Sequence, residues 1–445
     1  MVEKRTKLTP ATILMIGILY ISFFSIGYQI VLKNVVVDLL GVKAAWVDRT
    51  ISSLEGVSVF SPVSVDINWE ALYPFPEECA YEQETIAVAS SSSNSAESNM
   101  ISKIYSMFEK YSSNWYMFTD QCEIISKGFN KLIGMNLIAD AYGNLVFKQP
   151  DGRWTTESAY KDISVEATNV VSFSDYLDSM GINYLYVCIP SSVDPDKEAT
   201  IIAGGYDYHT NQMADEMMEY LQRNNICLID LRQVLKVEDI SWADVFFVTD
   251  HHWVPEYGIW GAGKIAGAID EIENVNSESY FFEKSSYSIN TYKNTYLGAY
   301  GSYATTVYAE KDDMEIWYPL HDTDFMKTVP QKDLEISGDF TDVMYDMTMF
   351  PTYNMWNHGI TGLKTYHNNN TDAVQMKILL LTDSYSDVVV PFLASAYSDI
   401  EELDLRIFSG SVEAYISENK PDIVVTIYSA YDLNSGEGNG LYSFE

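Results

Sequence analysis

The sequence predicts an α/β protein whose parallel sheet is covered by helices on both faces, attached to an N-terminal membrane anchor. Three observations predict it: continuous apolar runs typical of buried strands, amphipathic runs between them, and one long uncharged segment near the N-terminus. Strands are expected at residues 183–189, 226–231, 377–382, 403–408 and 422–428, and helices at residues 212–222, 256–270, 387–397 and 412–419. Strands that alternate with helices form parallel sheets, which bind ligands beyond the carboxyl ends of their strands.

The composition excludes two broad classes of protein. The 445 residues include 63 acidic and 27 basic side chains, which gives a formal net charge of −36. A general nucleic-acid binder needs basic surface, so we expect no nucleic-acid partner. The hydrophobic content of 47% excludes a wholly disordered chain.

The N-terminal segment predicts a single membrane-spanning helix. Residues 8–32 carry no charge and are long enough to cross a bilayer, and Lys4, Arg5 and Lys7 precede them. Basic residues on that flank favour a cytoplasmic N-terminus and an exported C-terminal domain. A cleaved signal peptide is the alternative, but its apolar region would be shorter and would end in small residues. We therefore assign residues 1–32 as an uncleaved anchor in the cell membrane.

A stalk is expected to follow the anchor. Residues 33–134 lack a sustained strand or helix period until a Ser-rich linker at residues 89–99, after which residues 100–132 show an amphipathic helical pattern. Cys79 and Cys122 flank the linker. They could form a disulfide outside the cytosol or remain unpaired, and the sequence leaves both states open.

Residues 135–445 are assigned to the α/β domain. Met213 and Met217 share one face of a predicted helix, which indicates core packing rather than a cofactor site. Cys188 and Cys227 lie in predicted strands, so both are expected to be buried thiols.

The first segment with chemistry is the string Thr-Asp-His-His-Trp that ends at Trp253. In an extended chain, residues i and i+2 point the same way, so Asp250 and His252 can share a pocket while His251 points elsewhere. A carboxylate beside an imidazole is the arrangement that orients a catalytic base. A metal site built on Asp250, His251 and His252, or a purely structural role, are the alternatives; adjacent histidines do not easily reach one ion.

The second segment is the end of the strand at residues 377–382. Asp383 and Ser384 follow it directly and lead into a helix, which places the Ser384 hydroxyl at the carboxyl edge of the sheet. Backbone N–H groups of such a turn can stabilise an oxyanion. Helix capping is the alternative, since Asp and Ser are common N-cap residues. Together, the two segments supply the nucleophile, base and orienting acid of acyl transfer.

These residues also carry a family resemblance. TDHHW, LLLTDSYSDVVVPFLASAYSDIEELDLRIF and KPDIVVTIY resemble the DHHW protein family, which is similar to periplasmic alginate O-acetyltransferases. The resemblance covers about residues 135–430 and implies an SGNH-hydrolase-like (flavodoxin-like) three-layer α/β/α fold. It implies Ser384 as nucleophile, His252 as general base and Asp250 as orienting carboxylate. The family's oxyanion Asn has no secure match in this sequence; Asn357 is the candidate, with the N–H of Tyr385 or Ser384 as the other donor, and a turn role before Gly359 is the alternative for Asn357. Thr382 stands where SGNH enzymes usually have Gly.

The expected function is that of a membrane-anchored, extracytoplasmic O-acetyltransferase acting on an exported polysaccharide or cell-wall glycan. The resemblance implies an acetyl donor delivered by a multipass membrane O-acyltransferase, and no cofactor or metal is expected. The charge of −36 favours a neutral or cationic acceptor. A carbohydrate esterase with the same triad and a non-catalytic glycan-binding scaffold remain alternatives.

Overall fold

The structure, a computed structural model, describes residues 127–128, 131–132, 137–139, 145–203, 206–434 and 441–444. The predicted anchor, the Ser-rich linker, Cys79 and Cys122 lie outside these residues, as does most of the predicted amphipathic helix. Within the described part of the chain, no helix combines the length and the apolar character that a membrane span requires.

The described strands and helices occupy most of residues 137–429. The strands are β1 (Leu137–Ala139), β2 (Leu145–Lys148), β3 (Trp154–Thr156), β4 (Asn183–Ile189), β5 (Leu228–Asp230), β6 (Tyr287–Tyr296), β7 (Asp312–Pro319), β8 (Phe325–Val329), β9 (Leu334–Gly338), β10 (Leu363–Asn368), β11 (Val374–Thr382), β12 (Tyr397–Leu403) and β13 (Ile423–Ser429). The α-helices are α1 (Ser164–Met180), α2 (Pro195–Ala203), α3 (Thr210–Arg223), α4 (Leu231–Val237), α5 (Trp242–Val245), α6 (Pro255–Glu273), α7 (Ala299–Tyr308), α8 (Phe340–Met344), α9 (Val390–Ala396) and α10 (Val412–Asn419).

An eight-stranded sheet organises the domain, in the order β5-β4-β13-β11-β12-β10-β8-β9. The pairs among β5, β4, β13, β11 and β12 are parallel, whereas the pairs among β12, β10, β8 and β9 are antiparallel. The predicted α/β class with a mostly parallel sheet is therefore confirmed. The antiparallel edge was not predicted.

Both faces of this sheet are buried. Alternate residues of β11 point to opposite sides, so Ile378 and Leu380 join one hydrophobic core while Leu379 and Leu381 join the other. Residues of α4, α6 and α9 pack in the first core, and residues of α1, α3 and α10 pack in the second. This explains why the central strands read as continuous apolar runs, as buried parallel strands do.

The strands at residues 183–189 and the helix at residues 412–419 have the predicted bounds, whereas the strand predicted at residues 403–408 is wrong. The strand there is β12, Tyr397–Leu403, and it follows α9 directly. The acidic residues of β12 are not typical of a buried strand. Glu402 is nevertheless buried there, because it forms an ion pair with Lys364 that the sequence does not show.

The predicted core residues are mostly confirmed. Met213 and Met217 are buried in α3, as the helical stripe indicated, and the Cys188 thiol is buried in β4. The prediction is wrong for Cys227, which is exposed. It precedes β5, the edge strand of the sheet, and an edge position leaves it without a covering neighbour on one side.

Candidate active site

The Ser384 turn lies at the carboxyl end of the central strand β11. Asp383 ends the strand in an extended conformation, and its Oδ1 accepts a hydrogen bond from the Tyr385 N–H at 2.9 Å. Its Oδ2 accepts the N–H of Ser429, at the end of β13, at 2.5 Å. Ser384 then begins a short 3₁₀ helix, Ser384–Val388, and it is only partly buried while its neighbours are fully buried. The hydroxyl is thus held in place and remains reachable.

The Asp250–His252 segment is a tight turn rather than the extended strand end expected from the sequence. Phe246 bridges to Trp253 in antiparallel fashion, which folds the intervening residues into a loop. The His252 N–H donates to Asp250 Oδ1 at 2.9 Å and closes the turn. The correction extends to His251, whose ring lies 3.9 Å from the His252 ring instead of pointing elsewhere.

The structure brings Ser384, His252 and Asp250 into one hydrogen-bonded chain. His252 Nε2 lies 2.9 Å from Ser384 Oγ, and His252 Nδ1 lies 2.6 Å from Asp250 Oδ1. Asp250 is 3% exposed and His252 7% exposed. An imidazole in this position can accept the serine proton at Nε2 while the carboxylate holds its Nδ1–H. The geometry therefore suits nucleophilic catalysis by Ser384.

Asp250 is held by groups that sequence reasoning missed. Its Oδ2 accepts the Tyr296 hydroxyl and the Ala299 N–H, each at 2.7 Å. Burial alone would raise the pKa of Asp250, but the nearby His251 and His252 and the hydrogen bonds from His252 outweigh it and hold the pKa well below its usual range. Asp250 is thus an anion that steers His252. Nothing in the local sequence around Tyr296 and Ala299 indicates that they support Asp250.

Aromatic side chains fix the imidazole and join the two segments. The Tyr353 ring stacks on His252 with centroids 3.8 Å apart and an angle of 12°. The Trp253 indole N–H donates to the Tyr385 carbonyl at 2.8 Å, which ties the His252 turn to the Ser384 turn. Trp253 is fully buried. In the sequence, only the position of Trp253 directly after His252 indicates that Trp253 supports the site.

Gly298 permits the close approach of α7 to Asp250. A Cβ atom at Gly298 would lie 2.3 Å from Asp250 Cβ and 2.5 Å from Asp250 Oδ2. We expect Gly298→Ala to displace Asp250, to lower the free energy of unfolding by about 1–3 kcal/mol and to slow acylation of Ser384. Gly267→Ala in α6 is the matched control, since nothing lies within 4 Å of its Cβ position. Urea unfolding measures the stability of both variants. Equal losses in the free energy of unfolding would show that the close approach of Gly298 to Asp250 is unimportant.

His251 is neutral near pH 7 in the folded protein. Burial lowers its pKa from 6.5 to about 4, and repulsion by His252 adds to the effect against the attraction of Asp250 and Asp432. Only His252 of the two neighbouring imidazoles is therefore placed to cycle its charge during catalysis.

The lowered pKa of His251 predicts a pH-dependent stability. Between pH 6.5 and pH 4 the unfolded chain binds a proton that the folded chain does not, so stability falls as the pH falls. From pH 7 to pH 5 this group should contribute a loss of about 2 kcal/mol. Urea unfolding at both pH values should therefore show a smaller loss for His251→Asn than for the wild type. Equal losses would contradict the assignment.

The Tyr385 N–H is one of the predicted oxyanion contacts. In this structure it donates to Asp383 Oδ1, so it is engaged in the turn. The N–H of Ser384 makes no hydrogen bond among the described residues, so this N–H is available to donate to an oxyanion.

Asn357 lies in a buried network rather than in the triad. Its amide donates to Glu402 at 2.9 Å and to Asp387 at 3.4 Å, and its Oδ1 accepts from Lys327 at 3.0 Å. Both amide hydrogens are thus in use in this structure, and the oxyanion role of Asn357 stays a prediction. Asn357 nevertheless contacts the short 3₁₀ helix that begins at Ser384, because Asp387 belongs to that helix.

Asp250, His251 and His252 also form a possible metal site, with ligand atoms within 4.8 Å of one another. The two histidines are closer to a common point than the sequence suggested. Both ring nitrogens of His252 are already used, by Asp250 and by Ser384. A metal ion at this point would have to break that chain, so the donor set fits a triad better.

Comparisons with known proteins give one family match. Residues 151–300 match the family described as SGNH hydrolase-like domain, acetyltransferase AlgX, so this part of the chain is similar to an AlgX-like domain. The resemblance indicated by the sequence is thereby confirmed. The matched segment contains Asp250 and His252 and ends before Ser384. A comparison with curated proteins by sequence gives no match.

Solved structures share the fold of this chain at low identity. A DHHW family protein from Eubacterium siraeum DSM 15702 is 17% identical, with a TM-score of 0.51, over 68% of this chain and 95% of that protein. Bacillus cereus PatB1 is 17% identical, with a TM-score of 0.53, over 68% of this chain and 100% of PatB1. A second PatB1 structure, with a sulfonyl adduct, gives 18% identity, a TM-score of 0.52 and coverage of 68% and 98%.

Proposed function

We propose that this chain is a membrane-anchored, extracytoplasmic O-acetyltransferase that acetylates an exported glycan. The observation that carries the proposal is the chain of hydrogen bonds from Ser384 Oγ through His252 to Asp250. The match of residues 151–300 to a family described as an acetyltransferase supports the same chemistry.

The first half-reaction loads the acyl group onto the protein. Ser384 Oγ attacks the carbonyl carbon of the donor while His252 Nε2 takes the hydroxyl proton, and Asp250 stabilises the imidazolium. The Ser384 N–H stabilises the oxyanion of the tetrahedral intermediate. Collapse of that intermediate breaks the bond to the leaving group, which receives the proton from His252. The acetyl group remains as an ester on Ser384.

The second half-reaction transfers the acetyl group to the glycan. A sugar hydroxyl attacks the ester carbon, and neutral His252 takes its proton. The Ser384 oxygen leaves and recovers that proton from His252, which regenerates the free enzyme. Water in place of the sugar would give hydrolysis, so exclusion of water and binding of the acceptor decide between a transferase and an esterase.

The sequence and the resemblance support the proposed location and donor. The uncharged residues 8–32 behind Lys4, Arg5 and Lys7 support an anchor with the α/β domain outside the cytoplasm. Acetyl-coenzyme A is a cytoplasmic donor, whereas the proposed active site lies outside the cytoplasm, so a partner must deliver the acetyl group. The resemblance to alginate O-acetyltransferases supports a multipass membrane O-acyltransferase as that partner.

The transfer reaction is testable with the full-length chain in detergent. We expect incubation with 4-nitrophenyl acetate and neutral oligosaccharides to give acetylated sugar, because the acyl-enzyme is consumed by the sugar hydroxyl faster than by water. The products are measured by mass spectrometry, and Ser384→Ala serves as the blank. Release of acetate alone, unaffected by any sugar, would identify an esterase. Unchanged sugar acetylation in the blank would contradict the proposal.

A further inference from the structure

A group of buried hydroxyls without partners lies beside the triad. Ser191, Tyr208, Tyr300 and Tyr385, here termed the hydroxyl cluster, are between 0% and 3% exposed. Their side-chain oxygens make no hydrogen bond with any described residue, and neither does His251 Nδ1. These residues come from four separate segments of the chain, so no local turn explains their grouping.

The cluster adjoins the catalytic imidazole through ring contacts. The Tyr385 ring lies 4.9 Å from the His252 ring, and the His251 ring lies 5.4 Å from Tyr300 and 5.6 Å from Tyr385. Burial raises the pKa of Tyr385, and Tyr300 and Tyr208 lie near enough to raise it further. Ser191 lies near Tyr208, since its hydroxyl lowers the pKa of Tyr208 against the effect of burial. The members of the hydroxyl cluster are therefore neighbours beside the catalytic imidazole.

Leaving these oxygens unpaired would be costly. Each buried polar group without a partner costs about 1–3 kcal/mol, and folded proteins hold few of them. Several such groups near one another and beside a catalytic imidazole indicate a binding site whose occupant supplies the missing hydrogen bonds.

Partly exposed side chains border the hydroxyl cluster. His251 is partly exposed at 22%, and Tyr431, whose ring stacks on His251 at 5.8 Å and 23°, is also partly exposed. Ser384 is partly exposed as well. Aromatic faces at the rim and hydroxyls behind them suit a sugar ring, which has C–H faces and hydroxyl edges.

The charges around the cluster select against an anion. Tyrosine and serine hydroxyls both donate and accept, and burial keeps the phenols neutral. The charged groups near them are the carboxylates of Asp250 and Asp432, and Arg406 is already bound to Asp404 by several hydrogen bonds. An acidic sugar would find repulsion and no unpaired cation among these described groups.

We infer that the hydroxyl cluster binds an uncharged sugar unit of the acceptor, and that it positions one of its hydroxyls for attack on the acetyl ester of Ser384. This inference rests on the proposed transferase function and names the chemical class of its acceptor. The bond formed is the sugar ester and the bond broken is the Ser384 ester, with the sugar proton passing to His252 and on to Ser384 Oγ.

The test replaces one hydroxyl without changing the shape of the side chain. The full-length chain carrying Tyr300→Phe or Tyr208→Phe is loaded with 4-nitrophenyl acetate in the presence of neutral tetrasaccharides of glucose, galactose or N-acetylglucosamine. We expect the ratio of acetylated sugar to free acetate to fall about tenfold with the best neutral acceptor, the effect of one lost hydrogen bond. Tyr184→Phe is the matched control and should keep the ratio of the wild type, because that buried phenol bonds Thr426 in the other core.

Direct binding tests the inference independently of acylation. Calorimetric titration of Ser384→Ala protein with the neutral tetrasaccharides and with tetragalacturonate should show binding of a neutral sugar that weakens about tenfold with Tyr300→Phe. Absence of sugar binding, or equal binding by the Tyr300 variant, would overturn the inference and leave ordered water as the occupant. Preference for tetragalacturonate would overturn the uncharged class. A failure of acylation with intact sugar binding would instead contradict the proposed function alone.

Discussion

Replacing Asp250 by Asn is expected to lower the rate of Ser384 acylation about ten-thousandfold, the size seen for such changes in serine hydrolase triads. Asp250 Oδ1 accepts from His252 Nδ1, and Oδ2 is held by Tyr296 and Ala299. An amide N–H facing Nδ1 would place the imidazole proton on Nε2, where His252 could no longer accept the proton of Ser384. The rate of 4-nitrophenol release from 4-nitrophenyl acetate measures the effect.

The surface offers a matched control for this change. Asp399 accepts from His367 Nδ1 at 2.7 Å, but both side chains are more than 40% exposed and lie apart from the triad contacts. Asp399→Asn should therefore leave the acylation rate within about twofold, since exposed pairs contribute little. A loss below tenfold for a folded Asp250→Asn protein would show that Asp250 does not steer His252.

Replacing Lys364 by Met is expected to lower the free energy of unfolding by about 3–5 kcal/mol. The Lys364 ammonium is 1% exposed and lies 3.2 Å from both Asp387, in the Ser384 turn, and Glu402, in β12. Burial alone would lower the pKa of Lys364, but these two carboxylates raise it above its usual value. Without the ammonium, two carboxylates would be left buried with too little compensating charge.

Lys264→Met is the matched control for the buried lysine. Lys264 pairs with Glu238 in a partly exposed position, where an ion pair contributes about 0–1 kcal/mol. Urea unfolding at pH 7 compares the two variants. Similar small losses would mean that water reaches Lys364, and that this network does not brace the Ser384 turn.

The parts of the fold that follow local rules could be predicted from the sequence. The strand at residues 183–189 is apolar and buried from Tyr184 to Ile189, because both of its faces are covered there. The helix at residues 412–419 has a Ser411 N-cap, whose hydroxyl accepts the Ala414 N–H. Strand β12 could not be predicted, because its acidic residues indicate an exposed segment, whereas in the structure an ion pair allows Glu402 to be buried. Only the tertiary structure places Lys364 against Glu402.

The residues of the site likewise include some that the sequence could predict and some that it could not. Asp250, His252 and Ser384 were predicted because two strand ends and the family resemblance pointed to them, and the structure places them within hydrogen-bond distance. The supports of Asp250 could not be predicted, because Tyr296 and Ala299 reach it from another segment. The oxyanion role of Asn357 was a candidate assignment without a secure family match, and the sequence does not show the buried contact of Asn357 with Glu402.

The central claim is that Ser384 is a nucleophile activated by His252 and Asp250, and covalent labelling tests it most directly. The full-length chain is treated with 4-nitrophenyl acetate or a phenylmethylsulfonyl reagent, and intact mass and peptide mapping locate the adduct. We predict one adduct per chain, on Ser384, that Ser384→Ala abolishes and Ser386→Ala, two residues along the same turn, retains. A folded wild-type chain that takes up no label, or a Ser384→Ala chain that is labelled as fast as the wild type, would contradict the account.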